Sequence, residues 1–594
     1  MNAGKLASLA GELEDYLGDP HDDRSRMPFA RVLEHDEREQ YPHGMVSLLQ
    51  DWGLHHYCLP ERWGGRAGDV EVGFQLVRLV ARRDPTTATA LMITNVAFMP
   101  TWIAATDEQG RAAVDAINHG GRMAWGLTER EHGSDILANE MRAEKVPGGY
   151  VLTGEKWLIG NATVADVVSV QARTDPRGGP GGWSVFAVDK RRCPAGSVMP
   201  LPAERLHGLR AIDMSGIRLD GVFVPEECRI GAEGQGLELA LQGAQVARTV
   251  ICAIALGAVD TALRVTLDFA EQRSIFGRKV ADIPYSRRQL AESFADLMVA
   301  DAVSTAAVRS LQAVPEQASV FSSVVKYFVP TLLDRTMAQL SVVLGARQYL
   351  RAHPHYGVYQ KMLRDLLAVH FVDGNTVVNL KSVGAQLDGL LAAAVSADDA
   401  TRAEAAERAS GVYDADAPLP VWEPHRQLLV SRGRDDTVVS LPVAVERLRT
   451  MAARHGDRRQ REWLGRAADL AVRLSGEFAR LRAELDLLKR AQGRGYGASA
   501  ELFRLAERYC ALHAAAASVQ LAVGSARVFG EGFPDGAVLL LSLERVWRLL
   551  HPTETVTDPE VVDRVMEVLR DLHTAPRLFS ARPVPVRASA PGPE

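Results

Sequence analysis

The feature that most limits the fold is one change of texture along an otherwise helical chain. "VEVGFQLVRLVARRD" and "TATALMITNVAFMPTWIAA" have helical length and few strand breaks. From about residue 121, short segments rich in Val, Phe and Trp take over: "GYVLTGEKWLIG", "ADVVSVQAR", "GWSVFAVDK" and "SGIRLDGVFVP". Gly, Pro and Asp turns separate them. Val168, Val170 and Ala172 alternate with Ser169 and Gln171, the period of a half-buried strand. From 236 the texture is helical again. Leu290, Phe294, Leu297 and Met298 share one helix face, and Pro330 is expected to kink the next helix.

The pattern predicts an N-terminal helical domain (1–120), a small antiparallel β domain (121–235), a helical bundle (236–395) and a linker (396–435). A second helical block (436–575) and a Pro-rich, disordered tail (576–594) follow. "LSVVLGARQYL" (340–350) recurs loosely as "VQLAVGSARVFG" (519–530), which reads either as a duplicated bundle or as two generic apolar helices.

The 594 residues allow several domains. A net charge of -6 offers no basic face, so no nucleic-acid partner is expected. Five scattered cysteines, never in a CxxC pair, argue against a disulfide framework or a zinc site and lead to a cytoplasmic expectation. No signal peptide and no membrane-spanning stretch is expected.

"AVHFVDGNTVVNL" (368–380) is an apolar run holding one acid, Asp373, between Val372 and Gly374. A desolvated carboxylate is costly and its pKa rises, which is a mark of proton chemistry. As a plain structural alternative, Asp-Gly-Asn is good turn chemistry. His370 beside it reads as a packed histidine, since nothing nearby completes a metal set.

Four segments stand in order: "AWGLTEREHGSD" (124–135), "GEKWLIGNATVADVV" (154–168), "RSIFGRKV" (273–280) and "RDLLAVHFVDGNT" (364–376). With the helix–sheet–helix order, they resemble the acyl-CoA dehydrogenase family of flavoproteins over about residues 20–390. The resemblance implies a mainly α fold with a central β-barrel-like domain, a four-helix bundle and here an additional helical bundle. It implies FAD as cofactor and an acyl-CoA or acyl-carrier-protein substrate. It also implies a homodimer, with electron-transfer flavoprotein or oxygen as electron acceptor.

The site residues follow by resemblance. Trp125, Leu127, Thr128, Gly133 and Ser134 stand where the family meets the flavin and its pyrophosphate. Leu158 and Gly160 stand where the family has an aromatic residue and a hydroxyl donor to the flavin. Trp157 lies one place earlier, and Thr163 is the candidate substitute donor. Arg273 and Phe276 correspond to the segment that reaches a neighbour's FAD, and Gly345 is a further cofactor-binding candidate; the glutamine expected nearby is Pro284. Asp373 takes the place of the catalytic glutamate, with Gly374 giving close approach and an N–H to the thioester carbonyl. Arg248 matches an arginine near the substrate entrance. Gln245 replaces an aspartate that meets the pantetheine arm, and Ala247 leaves the family's alternative base position without an acid. The reading is an FAD-dependent acyl-thioester dehydrogenase that introduces an α,β double bond. The alternatives are an oxidase on the same fold, like acyl-CoA oxidase or nitroalkane oxidase, and a degenerate, non-catalytic member.

Overall fold

The computed structural model describes residues 3–529, 533–554 and 557–587. Seven helices come first: α1 (Ala3–Leu17), α2 (Phe29–Arg38), α3 (His43–Trp52), α4 (Val70–Arg83), α5 (Pro85–Ala97), α6 (Met99–Ala104) and α7 (Asp107–Asn118). Local chemistry starts them. Asp69 caps α4, and Asp84 caps α5 ahead of Pro85 at the first helical position. Thr106 and Gln109 form a capping box on α7.

Eight strands then form one sheet: β1 (Met123–Gly126), β2 (Arg142–Val146), β3 (Gly149–Gly160), β4 (Val167–Arg173), β5 (Trp183–Asp189), β6 (Val198–Leu201), β7 (Met214–Pro225) and β8 (Arg229–Ile230). The order is β6-β7-β3-β2-β4-β5-β8, with β1 pairing β4. The antiparallel expectation needs correction at β4: β2 meets it in parallel at Arg142 and Arg173, and β1 runs parallel to it, with Met123 opposite Val167 and Gly126 opposite Val170. That pairing ends β1 at Gly126 and throws the 127–141 loop off the sheet edge.

The bundle comprises α8 (Gly236–Val250), α9 (Cys252–Gln272), a hairpin of β9 (Ser274–Ile275) and β10 (Arg278–Lys279), α10 (Pro284–Ala313), α11 (Ala318–Leu344), α12 (Gly357–Leu366) and α13 (Thr376–Ser396). Helix α11 runs through Pro330 as one element. Two stretches, Pro85–Ala104 and Gly236–Gln272, are long and apolar enough to cross a membrane, which corrects the sequence expectation. Their most apolar windows are 83% and 94% buried inside the molecule, as core helices are.

The stretch 396–435 is not a bare linker: α14 (Asp399–Tyr413) lies in it, capped by Asp398 and packed through Ala405, Ala409 and Tyr413. Six further helices follow: α15 (Asp436–Val439), α16 (Leu441–Arg454), α17 (Arg458–Gln492), α18 (Ala500–Gly524), α19 (Gly536–Leu550) and α20 (Pro559–Thr574). Gly357 and Gly536 each open a helix after a helix ending at Leu344 or Gly524. Each glycine is crowded by backbone: a Cβ would lie 2.4 Å from Arg351 O in one and 3.0 Å from Leu464 N in the other.

The tail reading is overturned for residues 576–587; residues 588–594 lie outside the described residues. Leu578, Phe579, Val584 and Val586 are buried. Phe579 N donates to Asp260 at 2.8 Å, its carbonyl accepts from Arg78 at 3.0 Å, and its ring meets Phe294 edge-on. Arg582 pairs with buried Glu71, and Arg587 with Asp15. Proline-rich composition was outweighed by apolar burial and specific ion pairs. Phe579→Ala should cost about 3–5 kcal/mol, read as a lower unfolding temperature; an unchanged temperature would show the tail to be a passenger.

Candidate active site

Asp373 sits in the turn that carries the chain from α12 into α13. Its backbone is left-handed, at φ 59°, and Gly374 follows at φ 109°. An Asp tolerates this region better than most residues do. Asn375 is the helix cap, its Oδ1 accepting from Val378 N at 3.0 Å. Asn379 Nδ2 donates to the carbonyls of Gly374 (3.0 Å) and Asn375 (2.8 Å). Capping is therefore the work of Asn375, and the Asp373 carboxylate is left out of it.

Two cations flank the turn. Arg248 of α8 donates through Nε to Asp373 O at 3.0 Å. A Cβ at Gly374 would lie 3.0 Å from that same Nε, so glycine is needed for both its φ and its space. Lys326 of α11, 1% exposed, donates from Nζ to Val369 O at 2.5 Å. Among the described residues no hydrogen bond or ion pair engages the Asp373 carboxylate. The main-chain N–H groups of Asp373 and Gly374 likewise donate to no protein acceptor among them. Burial pushes the Asp373 pKa up, and Lys326 and then Arg248 oppose the rise without cancelling it. Burial lowers the Lys326 pKa to about 8, with Asp373 opposing.

The opposite wall is the end of β1 and the loop after it. Thr128 and Trp157 lock together: Trp157 N donates to Thr128 O at 3.1 Å, and Thr128 Oγ1 donates to Trp157 O at 3.0 Å. Buried Lys156 pairs with Glu129 at 2.8 Å, and Glu129 also accepts from the amides of Glu140 and Met141. These bonds close the loop at its base and leave 130–135 open. Gly133 there has nothing within 4 Å of a Cβ position. Asn375 Nδ2 donates to Ser134 Oγ at 3.4 Å, which brings the Asp373 turn and the Gly133-Ser134 loop together. The crevice floor is Ile93 of α5. A Cβ at Gly160 would lie 2.4 Å from Ile93 Cδ1, and Ile93 and Val372 pack on one small cluster with Leu209, Ile212 and Ala368.

Several sequence assignments change. The Thr163 hydroxyl donates to Asp213 at 2.7 Å, and its amide donates to the same carboxylate, so it is not the substitute flavin donor. Gln245 is not open to a pantetheine arm: its Nε2 donates to Leu428 O at 3.0 Å. The Leu127 carbonyl accepts from Asn139 (2.7 Å) and Lys156 (3.2 Å), and its amide donates to Trp125 O, so its main chain is spent inside the protein. Arg273, Phe276 and Gly345 are on exposed turns at the ends of α9 and α11, apart from the base turn. Lys326, Ile93 and Asn375 were missed. Lys326 carried the same signal as Asp373, a lone charge in an apolar run, "SSVVKYFVP".

Sequence profiles agree with this geometry. The N-terminal, middle and C-terminal domains of acyl-CoA dehydrogenase match residues 25–120, 124–222 and 234–387. The chain belongs to the acyl-CoA dehydrogenase family. An acyl-CoA dehydrogenase of Bacillus subtilis is 31% identical over 256 residues, 43% of this chain and 66% of that one. The chain thus spans just under two thirds of that relative. The structure of an acyl-CoA dehydrogenase complexed with FAD from Bacillus anthracis superposes with a TM-score of 0.66 at 19% identity, covering 96% of this chain and 91% of that one. The prolyl acyl carrier protein oxidase AnaB superposes with a TM-score of 0.57 at 20% identity, covering 63% and 96%. Both likenesses are of fold.

FAD is the cofactor of this family, and the residues present fit it. Leu158 is held at φ 54° and 40% exposed beside Trp157, and Phe371 is 61% exposed near Asp373: apolar walls suited to cover by a flat ring. The open Gly133-Ser134 loop suits a pyrophosphate, which small residues allow to approach the main chain. Because Lys326 favours the ionised form of Asp373, Lys326→Met raises the Asp373 pKa. The low-pH limb of flavin reduction should move to higher pH in an anaerobic stopped-flow series; an unmoved limb would show that Lys326 does not act on Asp373.

Proposed function

We propose that this chain is an FAD-dependent acyl-thioester dehydrogenase that introduces an α,β double bond, with Asp373 as the base. The single observation that carries the reading is the contact between the Asp373 turn and the Ser134 loop. It sets a desolvated, unpaired carboxylate beside the crevice that fits the cofactor. Bound FAD supplies the acceptor for the two electrons that leave with the β hydrogen.

The chain's own part is proton chemistry and positioning. An α C–H next to a thioester is weakly acidic, so its base works best with a pKa raised toward the operating pH. Burial of Asp373 does this, while Lys326 and Arg248 keep enough of it ionised to act. The free N–H groups of Asp373 and Gly374 suit the thioester oxygen, where negative charge grows as the α proton leaves. Aspartate is shorter than glutamate by one methylene, and the turn compensates: a left-handed backbone at 373 projects the carboxylate differently from an extended one. Ile93, filling the space that a side chain at position 160 would need, lifts the crevice floor toward Val372.

The proposal extends to a homodimer. Phe276, at the tip of the β9–β10 hairpin, is 94% exposed, and the resemblance has this segment reaching a neighbour's FAD. Asp373→Asn should keep the yellow flavin spectrum and slow anaerobic bleaching by acyl-CoA by about 10²–10⁴-fold. Reduction at the parent rate would remove Asp373 as the base.

A further inference from the structure

The family match ends at residue 387, yet the chain beyond it packs back onto the matched helices. After α14, residues 414–433 do not run through solvent; they are laid across four helices of the matched part. Pro420 O accepts from Gln312 Nε2 of α10 at 2.7 Å. The Trp422 ring lies 4.4 Å from that of Trp102 in α6, centroid to centroid. The carbonyls of Gln427 and Leu428 accept from Gln242 and Gln245 of α8, each at 3.0 Å. Ser431 N donates to Gln386 Oε1 of α13 at 2.7 Å.

Beneath this connector is a small apolar cavity of about 50 Å³. Helices α4, α5, α6 and α8 wall it through Phe74, Met92, Met99, Val246 and Val250, and the connector adds Trp422. The cavity abuts the flavin-side strand. A Cβ at Gly243 would lie 3.3 Å from Met99 Cβ and 3.1 Å from Trp125 Cη2, so Met99 and the Trp125 ring meet at that glycine. On α5 the cavity residue Met92 is next to Ile93, the floor beside Gly160 and Val372. Trp422 itself is only 7% exposed. Its ring is pinned between Trp102 and the cavity, and the backbone bonds at Pro420 and Gln427 hold both flanks.

We propose that Trp422 sets the length of the acyl group this chain accepts, closing the cavity so that only a short apolar tail fits. The proposal rests on the acyl-thioester reading above. One water-sized centre needs roughly 10–15 Å³ of such space, so the cavity takes on the order of three to five heavy atoms. A longer tail must displace an indole held on both sides. A pocket wall of this kind discriminates by about 10- to 200-fold for each methylene that does not fit. The substrate class is therefore a thioester of a short acyl group, and the gauge is supplied by the connector rather than by the matched domains.

The test compares butyryl-CoA, octanoyl-CoA and palmitoyl-CoA as reductants of the FAD-loaded full chain, parent against Trp422→Ala. Trp422→Leu, which keeps an apolar cover with shorter reach, is run in parallel and carries the test where the alanine variant does not fold. The parent should prefer butyryl-CoA, and the variants should raise the octanoyl-to-butyryl ratio of kcat/KM by about 10-fold or more. Calorimetric binding of S-butyl-CoA and S-octyl-CoA, which have no carbonyl to activate, should show the same change without turnover. If parent and variants reduce their flavin with the same chain-length preference, the gauge is overturned and the acyl-thioester reading stands. If none of the three thioesters reduces any of the proteins, both are overturned.

Discussion

A carboxylate can serve as a base in an apolar crevice only if its side chain is spared from holding itself in place. The Asp373 turn meets this constraint through main-chain anchors. Arg248 grips the Asp373 carbonyl, Asn379 the carbonyls of Gly374 and Asn375, and Lys326 the Val369 carbonyl. A left-handed non-glycine residue costs of order 1–3 kcal/mol. Each of these hydrogen bonds contributes about 1 kcal/mol, more where the donor is charged. The strain is thus offset without touching the carboxylate. Had either cation paired directly with it, the attraction would have pulled its pKa down and spent the base. Instead, burial is the larger effect and the pKa stays raised.

The same economy of backbone and buried charge fixes the walls of the site. Helix α4, which lines the cavity beneath Trp422, carries Glu71, Arg78 and Arg82 on its other faces. Glu71 pairs with Arg309 of α10 and with Arg582 of the C-terminal segment. Arg78 pairs with Asp301, and Arg82 with Asp260 of α9 at 2.8 Å. All of these are buried, and removing one partner from a buried pair costs about 3–5 kcal/mol because the other is left charged and dry. Breaking any pair would therefore reach the cavity through α4.

Local signals made part of this legible from sequence. The strand texture, the lone acid, the Gly beside it and the arginine of α8 are each visible within a few residues, and their chemistry is carried by those residues. What could not be read depends on partners far along the chain. "SARPVPVR" has the composition of a flexible tail, but Arg582 and Arg587 meet Glu71 and Asp15 some five hundred residues away. Gln245 looked like a residue facing the pantetheine arm until Leu428 was found on it. Thr163 looked free, and Asp213 was not in its neighbourhood of sequence. Gly160 looked like a lost hydroxyl; in the structure it is the space that Ile93 fills. Helices α8 and α9 passed unnoticed as apolar spans because the burial that explains them is supplied by α4, α10 and α11.

The connector ties the extra helical block to the matched domains. Its entry is fixed where Tyr413 meets Thr437 at 2.8 Å and where Ser525 Oγ donates to Tyr413 O at 2.6 Å. Its exit is fixed by Asp436, which accepts from Arg408 at 2.8 Å and from Gln317 at 2.6 Å. Tyr509 and His513 of α18 both reach Asp435, at 2.7 and 2.8 Å. Both ends of the segment that carries Trp422 are therefore held by the block, while its middle is held by α6, α8 and α13. A segment clamped at both ends cannot swing as a loop does; under the proposed gauge, Trp422 gives way only if the block moves too. The block need contribute no catalytic group to shape the site, because rigidity at the ends of the connector is enough.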